Sequence, residues 1–153
     1  MRFALLVPSA LLLLAVVALP PAPAPAQSTD QGILRVVVAG LRSGDGQVGC
    51  TLWTHGDGFP TRHARADRAF WVPIRGRRAS CVFVRVTPGT YAVAVIHDEN
   101  GNSRLDTGAF GQPQEGWGVS NNVGPRAFGP PRFGPASFPF EGEELRMRLR
   151  LRY

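Results

Sequence analysis

The chain has 153 residues, a formal net charge of +6 and 44% hydrophobic residues, enough for one core without staples. Its 18 glycines and 14 prolines break it into short segments, which argues against a helical protein. All 17 basic residues are arginine and no nucleic-acid motif accompanies them, so the charge speaks to solubility and attraction to anions, with no nucleic acid expected as partner.

Residues 1–26 carry a basic start at Arg2, an apolar run through Leu19 and a small-x-small end at Ala24-Pro25-Ala26. That is the build of a secretory signal peptide cleaved after Ala26; an uncleaved anchor helix is the alternative, but prolines close the run at Pro20. No cysteine stands directly after the run, where a lipoprotein anchor would need one, and no later segment is apolar enough to span a bilayer. The expectation is an exported, periplasmic or extracellular protein with one domain over residues 27–153 and no transmembrane segment in the mature chain.

Gly32–Leu41 places Leu34, Val36 and Val38 on one face, and Gln47–His55 follows after the turn Ser43–Gly46; the two read as a hairpin. The polar stretch Gly56–Arg68 predicts a loop with a short helical turn near Arg62–Arg68. Ala69–Ile74 is a short strand that Pro73 assigns to an edge. Ala79–Val86 and Tyr91–Asp98 are strands on either side of a tight Thr87–Thr90 turn, and the second is apolar on both faces, as a central strand would be. Residues 99–136 show no periodicity and many glycines and prolines, so they predict one long loop of the kind that carries function or lacks order. Ser137–Phe140 adds a short strand. The chain closes with Leu145, Met147, Leu149, Leu151 and Tyr153 alternating with four arginines: one core face, one solvated. About seven short strands predict an all-β fold, an antiparallel two-sheet Greek-key sandwich of the immunoglobulin or prealbumin type.

Cys50 and Cys81 predict one disulfide in an exported chain, with two buried free thiols as the alternative. A bridge closing about 30 residues contributes about 3 kcal/mol in the chain-entropy view.

The segment His97–Asp106, HDENGNSRLD, spaces Asp98, Asn100, Asn102 and Asp106 as a calcium loop spaces its oxygen ligands. The Arg104 carbonyl falls at the seventh position of an EF-hand count. The match fails at the sixth position, Ser103 in place of Gly, and at the twelfth, Ala109 in place of Glu. The expectation is therefore an EF-like loop at a strand end, with Glu99 or Glu115 completing a modest shell for calcium. A polar Asx-rich turn without metal is the competing reading.

The stretch Pro88–Asn122, PGTYAVAVIHDENGNSRLDTGAFGQPQEGWGVSNN, resembles the signature of the domain-of-unknown-function 2141 family of exported bacterial proteins. The resemblance implies a periplasmic or secreted β-sandwich and no established enzyme activity. It carries Asp98, Asn100, Asn102 and Asp106 over as candidate ligands, and matches Gly111, Pro113, Glu115, Gly116, Gly118, Ser120, Asn121 and Asn122 in its second half. Ser103 departs from the family's usual Gly. Trp117 either caps the open end of the sandwich or, beside Ser120, Asn121 and Asn122, stacks on a sugar ring or another apolar ligand.

His55, His63 and His97 show no zinc spacing, and Ser120 lacks the context of a catalytic serine. The function expected is a binding or structural module, not an enzyme, with cell-envelope carbohydrate or protein as partner. One alternative is an envelope carbohydrate hydrolase or lyase using Asp98 with Glu115. The other is an anionic-surface binder using Arg146, Arg148, Arg150 and Arg152.

Overall fold

The computed structural model describes residues 31–153; the signal-peptide expectation for residues 1–26 lies outside them. Eight strands form: β1 Gly32–Ala39, β2 Gln47–Trp53, β3 Arg68–Pro73, β4 Ala79–Val86, β5 Gly89–Asp98, β6 Gly116–Val119, β7 Phe138–Phe140 and β8 Glu144–Arg150. One sheet has the order β4-β1-β8 and the other β3-β2-β5-β6, with β7 on the first residues of β5. The chain crosses between sheets repeatedly, so spatial neighbours are interleaved in sequence, as in a Greek-key sandwich. Beyond the strands, the described residues form only single helical turns, His63–Arg65, Ser120–Asn122 and Phe133–Ala136.

The core lies between the sheets. Leu34, Val36 and Val38 of β1 face Val48, Cys50 and Leu52 of β2 across it, all essentially without solvent contact. Each such side chain contributes about 1.5–3 kcal/mol on burial. Cys50 and Cys81 form the expected disulfide, which ties β2 in one sheet to β4 in the other. Tyr91 ends the β4–β5 connection as a corner residue, its hydroxyl donating to the Thr87 carbonyl at 2.9 Å.

Three expectations change. β1 and β2 are not a hairpin: β1 pairs with β4 and β8, and β2 with β3 and β5. Both strands bury one face, and a glycine-bearing turn does not say whether the chain folds back in one sheet or crosses to the other; positive φ at Gly40 and Gly46 serves the crossing. β8 runs parallel to β1 in an otherwise antiparallel sandwich. Residues 99–136 are not one loop, because β6 and the turn Phe133–Ala136 lie inside them. β6 is Gly-Trp-Gly-Val, too short and glycine-rich to show a period. Its glycines are required by packing: a Cβ on Gly116 would sit 2.6 Å from the Tyr153 ring, and one on Gly118 2.5 Å from Leu149.

β5 is central, flanked by β2 and β6, and β3 is an edge, as expected. Past β8, Arg152 exchanges two 2.8 Å backbone hydrogen bonds with Trp117, so the chain passes from the first sheet onto the edge of the second.

Candidate functional site

β5 delivers His97 and Asp98, both fully buried, to the end of the sandwich where the loop begins. Asp98 Oδ1 accepts the Asn102 N–H at 3.0 Å, and Oδ2 accepts the Ser103 N–H at 2.8 Å and the Gln47 amide at 2.9 Å. The carboxylate thus bends the chain back over itself. Ser103 takes a φ of +63°, a left-handed turn that a glycine would make without strain.

The other predicted oxygen donors also turn inward. Asn100 and Asn102 donate from their amide nitrogens to the two oxygens of Asp106 at 2.7 and 3.0 Å. Their own carbonyl oxygens accept the N–H groups of Asn102 and Arg104, two residues on in each case. Arg104, expected to offer its carbonyl, also places its guanidinium 3.4 Å from Asp106. The two asparagine bonds, more than Arg104, hold the Asp106 carboxyl below its ordinary range. Glu115 arrives from just before β6, is buried, and accepts the N–H groups of Glu99 at 2.8 Å and Asp106 at 2.9 Å. It fastens both ends of the loop. Glu99 turns away to pair with Arg42, which lowers its pKa.

His97 donates from Nε2 to the Asp45 carbonyl at 2.9 Å, which leaves Nδ1 to accept the Tyr153 hydroxyl at 2.8 Å. It therefore anchors the β1–β2 connection and the end of the chain, not the loop that follows it.

A hard cation fits this loop only in part. Asp98, Asn100, Asn102 and Asp106 do converge, but the amides present nitrogen to Asp106. Rotating both amides would gather two carboxylate and two amide oxygens, short of the six to eight that calcium takes. Among the described residues no three His, Cys, Asp or Glu side chains gather in a way that could hold a metal ion.

Beside the loop a cleft of about 720 Å³ opens on the outer face of the second sheet. Its floor is Ala94 and Ile96 of β5 with Trp117 and Val119 of β6. Leu105, Phe110, Pro113, Pro125, Pro130 and Pro131 also line it. Across the sheet, Trp71, Gly49, Ile96 and Trp117 stand in one register row, so indole rings mark both ends of an apolar strip. A Cβ on Gly49 would sit 2.6 Å from Trp71, so the glycine lets that ring lie over the strip. Among the described residues no Asp or Glu lines the cleft.

Ser120, Asn121 and Asn122 are not gathered with Trp117 in that lining. Ser120 is buried and donates to the Ala136 carbonyl at 2.6 Å while accepting the Val93 N–H at 2.9 Å. Asn121 donates to the carbonyls of Pro135 and Ser137. Asn122 pairs with the backbone of Arg148 and Arg150. Both asparagines have φ values near +55°, which their residue type tolerates.

A sequence profile of an uncharacterized protein family conserved in bacteria (DUF2141) matches residues 36–148, which is most of the chain and nearly all of the sandwich. The chain belongs to the DUF2141 family. No curated protein and no solved structure matches it significantly. In this DUF2141 protein the motif from Asp98 to Asn122 is a set of fasteners: Asp98 and Glu115 hold the loop, and Ser120 to Asn122 hold the end of β6 to β8 and to the turn at Phe133–Ala136. Trp117 is the indole that this motif contributes to the cleft. The lining at Phe110, Pro125, Pro130 and Pro131 had no sequence signal, because a Pro/Gly-rich stretch shows no periodicity from which a facing could be read.

Proposed function

We propose that this DUF2141 protein is an exported binding module of the cell envelope that takes a sugar ring or similarly flat apolar group against Trp117. The observation that carries the reading is the cleft: its volume of about 720 Å³ suits a small ligand, and aromatic, aliphatic and proline side chains line it together with polar His63, Arg104, Gln112 and Arg126. Export is supported by the Cys50–Cys81 disulfide, a bond that persists in oxidising compartments. Binding is favoured over acid–base hydrolysis because Asp98 and Glu115 both accept backbone N–H groups and neither lines the cleft.

The test is a titration of the protein with envelope glycan fragments, followed by tryptophan fluorescence and calorimetry. Trp117→Ala is expected to weaken binding at least about tenfold, the value of one lost stacking contact with its burial. Binding unchanged in that variant would remove the cleft from the account.

Calcium is the second reading, favoured by the convergence of Asp98, Asn100, Asn102 and Asp106. A cation bound only by the folded state would raise the melting temperature of metal-stripped protein, and Asp106→Ala would abolish the rise. No heat and no shift on adding calcium at millimolar levels, the weak end of extracellular sites, would discard it.

A further inference from the structure

The outer face of the first sheet, with the turn beside it, is strongly cationic. β8 turns Arg146, Arg148 and Arg150 outward, while the other face of the strand meets the core. Alternate residues place these guanidiniums about 6.6–6.8 Å apart at their strand positions. The parallel register sets Arg35 of β1 beside Arg146, and Arg77 and Arg78 from the β3–β4 turn line a groove with Arg146 and Arg148. Glu144 is the acid on this face, 3.5 Å from Arg35. Four arginines against one glutamate give this face +3, and Arg77 and Arg78 on the adjoining turn bring the region to +5. Among the described residues Arg77, Arg78, Arg146, Arg148 and Arg150 have no carboxylate partner, which leaves their charge uncompensated by a direct ion pair.

The same face is apolar between its charges. Val37 and Ala39 floor the groove, Val82 lies opposite Arg35, and Val84 at the β4 edge is 50% exposed. A row of arginines that served only to keep an edge strand soluble would not need cations on the neighbouring turn, nor leave valines uncovered beside them.

We propose that this face docks on an anionic lipid surface, its guanidiniums pairing with headgroup phosphates. Arginine suits that task because its planar fork bonds phosphate in a bidentate way and is weakly hydrated. Val82 and Val84 then enter the headgroup layer. Each cation held near such a surface adds to the attraction, which fades within a Debye length. The cleft lies on the other sheet, facing away, so a docked molecule keeps it open.

Cosedimentation with vesicles tests this, comparing phosphatidylcholine alone with phosphatidylcholine containing phosphatidylglycerol. The protein is expected to pellet only with the anionic vesicles and to be released at high salt. Arg146→Gln with Arg148→Gln and Arg150→Gln should cut the apparent affinity at least about tenfold, since each lost cation weakens it several-fold. Lysine at the same three positions should restore most of it, which separates charge from folding. Arg78→Gln, on a turn outside the strands, should weaken it without altering the melting temperature. Equal pelleting with neutral vesicles, no pelleting at low salt, or glutamine variants that bind as the parent does would each overturn the assignment. So would capture by soluble polyphosphate without capture by vesicles, which would make the face a site for a free polyanion.

Discussion

Asp98 is a fully buried carboxylate, and burial of such a group is costly unless its oxygens are bonded. Three N–H donors meet that need, two of them from the loop backbone. Glu115 repeats the device from the far end of the loop. Around them, Glu99 and Asp106 ionise more readily than free carboxyls, Glu99 chiefly because Arg42 bonds it and Asp106 chiefly because Asn102 does. Both folded pKa values lie below the free ones. Their stabilisation is therefore complete above the ordinary carboxylate range and is lost as the pH falls through the lower, folded values. The melting temperature should hold steady down to about pH 5 and fall below about pH 4. Glu99→Gln should flatten the fall. An identical acid limb in that variant would show that Glu99 does not contribute to it.

At the scale of elements, periodicity decided what could be read. β1, β4, β5 and β8 alternate or run apolar over seven to ten residues, and all four were legible. β6 was not, because four residues with two glycines carry no pattern; its identity comes from the edge of β5 and from the close packing of Tyr153 and Leu149. The hairpin expected of β1 and β2 failed for a related reason: pattern gives a strand its faces but not its partners. The spacing of Asp98, Asn100, Asn102 and Asp106 was legible as a convergent cluster. The direction of the amides was not, since asparagine offers both a donor and an acceptor and the choice belongs to its neighbours. Gly118→Val should remove β6 from the sheet, because its Cβ alone would press on Leu149 and the Arg150 carbonyl. An expected loss of about 1–3 kcal/mol in chemical denaturation, typical of overpacking with backbone movement, checks it. A neutral outcome would mean that β6 does not hold this place.

At the scale of the molecule, two sheets share one core and one covalent bridge. The bridge closes 31 positions of sequence, and in the chain-entropy view its loss costs about 3.5–4 kcal/mol. Cys50→Ala with Cys81→Ala should lower stability by about that amount and leave the fold intact, since both sulfurs lie inside a core that otherwise packs around them. Unchanged stability under reducing conditions would show the two sheets to be held by packing alone. The sandwich also separates its tasks. The outer face of the first sheet is cationic, and the outer face of the second carries the cleft floored by Trp117, with the loop fastened by Asp98 and Glu115 beside it.

That fastening is the claim on which the cleft depends, and amide hydrogen exchange measured by NMR on metal-free protein tests it most directly. The N–H groups of Glu99, Asn102, Ser103 and Asp106 are expected to be protected to a degree approaching that of β5, each being bonded to a carboxylate within the fold. Exchange of those four amides at the rate of an unstructured chain, with protection appearing only when calcium is added, would contradict it.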